Sequence, residues 1–276
     1  MNLYYETYGS GDPIVFLHGL GASIYTWRKV KEPLAESNKL FLIDLKGFGQ
    51  SPKPRDGRYS ITDQADLVYQ IILEQDLRNL TVVGNSYGGA VSLLLAIRLC
   101  AENPNRLSKL ILIDSAGYNK SIPWYVTLLR IPILSWLLVH LASNKTLAST
   151  VLKESYYNDA LITSAEIDAY AKPLGMENGK YALLEVAEQA IPSDIEKWIS
   201  KYPTISVPTL IIWGEYDTVI PLEIGEMLHA AIPVSQLIII PETGHVPQEE
   251  TPDPTIELIK YFLKNPIPPP QSSLSS

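Results

Sequence analysis

Six short apolar runs organise the chain: Pro13–Leu17, Leu40–Asp44, Leu80–Gly84, Lys109–Asp114, Pro208–Trp213 and Gln236–Ile240, each rich in Val, Ile or Leu with little apolar–polar alternation. Runs of that length and evenness read as strands buried on both faces. Between them lie stretches with helical spacing, Thr62–Leu77, Gly88–Cys100, Leu222–Ile232 and Asp253–Leu263. Strand and helix in alternation call for an α/β fold, with a mostly parallel central sheet and helices on both faces. Asn2–Tyr8 alternates more and is expected as an edge strand.

The alternation stops near Gly117 and resumes near Val207. At 276 residues the chain has room for one large domain, or one domain with a sizeable insertion. The intervening segment has helical character at Ile122–Ala142, Thr163–Ala171 and Tyr181–Ala190 and no convincing strand. The expected organisation is therefore a core of residues 1–117 and 207–264, a helical lid over 118–206, and a Pro/Ser-rich, disordered tail at 265–276.

Composition removes several functions. The formal charge is −8 and no long basic run occurs, so nucleic acid is not an expected partner. One cysteine, Cys100, permits neither an internal disulfide nor a Cys-based metal cluster and suits a reducing, cytoplasmic compartment. The N-terminus lacks a basic region followed by an apolar one. Ile122–Ala142 approaches a membrane span in length, but Arg130, Pro132 and His140 interrupt it. An apolar cap over a pocket is expected there, with peripheral membrane contact as the weaker alternative.

Chemistry concentrates at Gly84-Asn85-Ser86-Tyr87-Gly88-Gly89, set between an apolar strand and an apolar helix. A nucleophile on such a sharp turn is held in strained backbone, and the helix N-terminus beneath it favours developing negative charge. A Gly-rich turn serving packing alone is the bland alternative. A serine hydroxyl needs a base, normally histidine, and the base needs an orienting carboxylate. Of the four histidines, His245 follows the last apolar run and is the candidate base, while His140 and His229 fall in helical segments and His18 reads as a scaffold residue. Asp217, after the strand at Pro208–Trp213, is the candidate acid, with Asp114 at an earlier strand end as the alternative. The order Ser86, Asp217, His245 differs from that of the chymotrypsin and subtilisin triads. Backbone N–H groups of Leu20 and Tyr87 are the expected oxyanion donors.

These segments resemble the α/β-hydrolase family, in its branch of small cofactor-free enzymes with a helical lid. The resemblance covers residues 1 to about 264 and rests on His18-Gly19-Leu20-Gly21 with Trp27, Asp44 to Ser51, Gly84 to Gly89, Trp213 to Asp217, and Gly244-His245. It implies a structural, not catalytic, loop at Asp44–Ser51. Asn85 before the serine is similar to hydrolases that cleave a carbon–carbon bond in dienone ring-cleavage products. Those enzymes usually carry an aromatic residue after the histidine and an arginine from the lid. Here Val246 follows His245, and Arg130 is the one arginine of the insertion. Dehalogenase and epoxide-hydrolase relatives carry Asp where Ser86 stands.

The expected activity is cleavage of carboxylic esters with an apolar acyl or aromatic part, without cofactor or metal. Carbon–carbon hydrolysis of a dienone ketone is the alternative, and a perhydrolase or slow-turnover receptor stands behind it. Gly19, Asn85, Trp124, Trp136 and Val246 are expected to meet substrate.

Overall fold

The computed structural model describes residues 1–120 and 123–265, so the tail expected at 265–276 lies outside the described residues from 266 onward. Seven strands form one sheet: β1 (Tyr5–Tyr8), β2 (Asp12–Leu17), β3 (Asn38–Ile43), β4 (Leu80–Asn85), β5 (Leu107–Ile113), β6 (Thr209–Gly214) and β7 (Ser235–Ile240). Their order is β1-β3-β2-β4-β5-β6-β7. Only β1 runs antiparallel, pairing with β3 at the edge.

The lack of alternation along the strands has a direct cause. On one face Val15, Leu17, Val82, Leu110, Leu112 and Ile211 join one core cluster; on the other, Ile14, Phe16, Val83, Ile111, Ile113 and Ile212 join a second. Successive side chains point to opposite faces, and both faces are covered, so both sets are apolar.

The covering helices are α1 (Lys31–Ala35), α2 (Ile61–Glu74), α3 (Tyr87–Glu102), and, after a long helical segment, α10 (Leu222–Ala231), α11 (Pro247–Glu250) and α12 (Pro252–Lys264). Ser60 starts α2 with a capping box, its side chain and that of Asp63 exchanging bonds with each other's backbone N–H. The central α3 buries Val91, Leu93, Leu95, Ala96, Ile97 and Leu99, each such side chain stabilising the fold by about 1.5–3 kcal/mol when fully buried and large.

Between β5 and β6 the described residues contain only helices: α4 (Trp124–Leu129), α5 (Pro132–Leu141), α6 (Asn144–Ser155), α7 (Ser164–Ala171), α8 (Gly179–Gln189) and α9 (Ile195–Ile199), with short 3₁₀ turns. The described part of the apolar stretch, 123–142, is thus two short helices broken before Pro132, and among the described residues no helix is long and apolar enough to cross a membrane. Sequence spacing gave no sign of α6, because only Ala148, Leu152 and Ser155 are buried along it, too thin a stripe to stand out.

Candidate active site

Ser86 sits between β4 and α3 with φ 54° and ψ −121°, a conformation that a non-glycine residue adopts only when its surroundings enforce it. Four main-chain bonds do so: Ser86 N donates to Ile113 O (3.0 Å), while Ser86 O accepts from Gly89 N (2.9 Å), Ala90 N (3.3 Å) and Ala116 N (3.0 Å). Gly88 lets the turn pack beneath β2, since a Cβ there would lie 2.2 Å from Leu17 O and 2.5 Å from His18 O. A Cβ on Gly19 would come within 3.2 Å of Ser86 Cβ, which places the loop after β2 directly against the serine.

His245 follows β7 in a loop whose main chain is fixed at both ends: its N–H donates to Ser155 O (2.7 Å) and its carbonyl accepts from Asn85 Nδ2 (3.1 Å). Its Nδ1 is 2.8 Å from Asp217 Oδ2. The other oxygen of Asp217 accepts from Val219 N (2.8 Å) and Ile220 N (2.9 Å), so the carboxylate is held by its own turn. With Nδ1–H given to Asp217, the Nε2 lone pair is free to accept a proton. Among the described residues the Ser86 hydroxyl has no hydrogen-bond partner; its link to His245 is not closed in this structure, and such contacts commonly tighten when substrate binds.

Asp114 ends β5 beside this pair. Ligand atoms of Asp114, Asp217 and His245 lie within 4.8 Å of one another. Asp114 Oδ1 accepts from Gly214 N (2.9 Å), and Oδ2 is buried without a partner. Burial, and then the charge of Asp217, push the Asp114 carboxyl well above the usual carboxylate range. Asp217 Oδ2 bonds the ring, whereas among the described residues Asp114 makes no hydrogen bond to it, so the geometry favours Asp217 over Asp114 as the orienting partner.

Leu20 lies at the tip of the loop after β2, and Tyr87 opens α3, where the first amides of a helix have no partner within the helix. His18 stiffens that loop: Nδ1 donates to Gly19 O (2.8 Å) and Nε2 accepts from Leu45 N (3.0 Å). Burial lowers its pKa, which keeps the ring neutral and in this tautomer. Asp44 accepts from Ile24 N (2.8 Å) and Gln50 N (2.7 Å), closing the loop between β3 and α2.

Two cavities meet at Leu20. One, of about 90 Å³, opens on Ser86 and Tyr87 and is walled by Val126, Trp198, Ile220 and Ile224, with Lys120 its one charged lining residue among those described. The other, of about 300 Å³, lies among α4, α5, α6 and α8 and is lined by Leu128, Leu138, Val151 and Leu183. Of the residues expected to meet substrate, Gly19 abuts Ser86 and Trp124 lines the second cavity. The others sit elsewhere. Asn85 is buried, its amide spent on Ile113 O and His245 O. Val246 packs with Leu152 and Tyr156. Trp136 is 55% exposed and stacks on His140. None of these three lines either cavity.

Sequence reasoning missed Glu249 and Glu250, which follow His245 in α11. Glu250 accepts from Gly244 N (2.7 Å), Tyr157 N (3.1 Å) and Asn158 N (2.7 Å), tying the histidine loop to the chain leaving α6. Glu249, fully buried, accepts from Thr26, Arg28, Tyr156 and Tyr170. Two adjacent acids just after the histidine were the available signal.

A family model described as alpha/beta hydrolase fold matches residues 12–252. The chain is 32% identical to the uncharacterized hydrolase YugF of Bacillus subtilis (strain 168), across 96% of this chain and 95% of that one. It is 30% identical to Lipase 3 of Moraxella sp. (strain TA144), across 92% of this chain and 78% of the lipase. It is also 27% identical to the 2-hydroxy-6-oxo-2,4-heptadienoate hydrolase of Pseudomonas putida, across 92% and 90%.

Proposed function

The chain belongs to the α/β-hydrolase fold family and is a hydrolase, and from that premise we propose that it cleaves carboxylic esters with an apolar acyl or aromatic part. The observation that carries this reading is the 2.8 Å Asp217–His245 contact beside a strained Ser86 that opens on an apolar cavity.

In this reading Ser86 Oγ attacks the ester carbonyl as His245 Nε2 takes its proton. Asp217 stabilises the imidazolium that forms. The carbonyl oxygen becomes an oxyanion between the amides of Leu20 and Tyr87, each such donor contributing about 3 kcal/mol in comparable enzymes. His245 then protonates the departing alcohol, and water, activated by the same ring, releases the acid and restores Ser86. Every charge that develops has a partner within this chain.

The apolar walls of both cavities support an apolar substrate. Carbon–carbon hydrolysis would use the same three residues, and Lys120 at the serine cavity is the cation that would receive a dienoate carboxylate. Side-by-side turnover of nitrophenyl esters and a ring-cleavage dienoate distinguishes the two; turnover of the dienoate alone overturns the ester reading. A fluorophosphonate probe should label the wild type and leave Ser86→Ala unlabelled, with kcat for the ester falling about 10⁴-fold or more in the variant.

A further inference from the structure

Of the ten residues of α5, only Ser135 and Val139 are buried. Apart from Leu138, the rest of the helix faces outward and is almost wholly apolar: Ile133 is 79% and Leu141 80% exposed, with Leu134, Trp136 and Leu137 also exposed. An outward apolar face of this extent calls for a cover. The charge pattern indicates which. From Ser115 to Lys153 the chain has no Asp or Glu and four cations, Lys120, Arg130, Lys145 and Lys153, so this segment is +4 while the remainder of the chain is −12. Arg130 stands at one end of α5 and Lys145 just beyond the other. Lys145 pairs with Asp168 yet stays 69% exposed, and among the described residues Lys120, Arg130 and Lys153 form no ion pair.

We propose that α5 and its basic flanks dock on a bilayer surface bearing anionic headgroups. A short helix lying in the interface needs an apolar side to enter the acyl boundary, cations to meet the headgroups, and an indole at their level. Ile133, Leu137 and Leu141 supply the first, Arg130 and Lys145 the second, and Trp136 the third. A second copy of the chain is the poorer occupant, because it would set one cationic, acid-free segment against another. The inner side of the same helix, at Leu138 and Val139, lines the second cavity. Docking therefore brings lipid within about one helix diameter, roughly 10 Å, of a void that reaches Leu20.

The test uses the full chain with sucrose-loaded vesicles of phosphatidylcholine alone or with about one-third phosphatidylglycerol. Co-sedimentation should be about tenfold stronger on the anionic vesicles and should fall at high salt. The variant Ile133→Ser/Leu137→Ser/Leu141→Ser should lose about tenfold or more of that binding, while its circular dichroism and its turnover of a short soluble ester stay at wild-type level. Brominated lipid should quench wild-type tryptophan emission. Equal binding to both vesicle types, unchanged binding by the triple variant, or a dimer that the triple variant abolishes would each overturn the proposal. Docking does not depend on the ester reading: loss of ester turnover with vesicle binding intact would sink only the latter.

Discussion

The two aspartates near His245 differ in what their oxygens bond. Asp217 has its oxygens committed to the ring and to two amides of its own turn, whereas Asp114 accepts from Gly214 N alone, and burial and the charge of Asp217 push its carboxyl upward. Asp217→Asn should therefore lower kcat by up to about 10⁴-fold, since the amide favours the wrong tautomer of His245. Asp114→Asn, which keeps an oxygen to accept from Gly214 N, should leave kcat within about threefold. Asp114→Ala leaves that buried amide unpaired and should cost about 1–3 kcal/mol of stability, measurable by urea unfolding. A collapse of kcat in Asp114→Asn with Asp217→Asn active would reverse the assignment. Both aspartates were visible in the sequence as strand-end acids. Chain order already favoured Asp217; how each carboxylate is bonded is a property of the packed site.

At the scale of elements, α11 does more than follow the histidine. Through Glu249 it gathers Thr26 and Arg28 from the core with Tyr156 and Tyr170 from the helical segment, and through Glu250 it holds the His245 loop against the end of α6. Removing one partner of a buried ionic cluster strands the other, so Glu249→Ala should destabilise the protein by about 3–5 kcal/mol, read as a lowered Tm. Glu250→Gln keeps the shape but weakens three charge-assisted bonds, and should reduce kcat for the ester more than it lowers Tm. The strands and the long helices α2, α3, α10 and α12 were readable because their apolar positions repeat at the period of the element. The short α1, α9 and α11 were not, since four or five residues carry too little periodicity to register.

For the whole molecule, the decisive feature is that the segment between β5 and β6 returns to the core at several points. Tyr59 N donates to Gln189 Oε1 (3.0 Å), Tyr118 OH donates to Met227 O (3.1 Å), and Arg28 reaches Glu166 (2.8 Å). The last link is acid-sensitive. Burial pulls the Glu166 carboxyl upward, but Thr163 and the Arg28 guanidinium outweigh it and bring the carboxyl down to about 2. A carboxyl lowered on folding contributes stability that is complete above its ordinary value of 4.5 and is lost as pH falls from there through about 2. Between those limits the wild type should lose Tm more steeply than Glu166→Gln, with the two curves converging at the acid end; parallel curves would show that the pair contributes nothing.

The order of strands and helices, the turn that carries Ser86, and the chain order of serine, aspartate and histidine were set by the sequence, since each depends on local periodicity and on residues adjacent in the chain. Two things were decided only by the tertiary structure: which apolar side chains of the helices between β5 and β6 line a cavity, and which are left facing solvent. Those outcomes follow from desolvation and from contacts between elements distant in the chain, and neither is written into any local stretch of it.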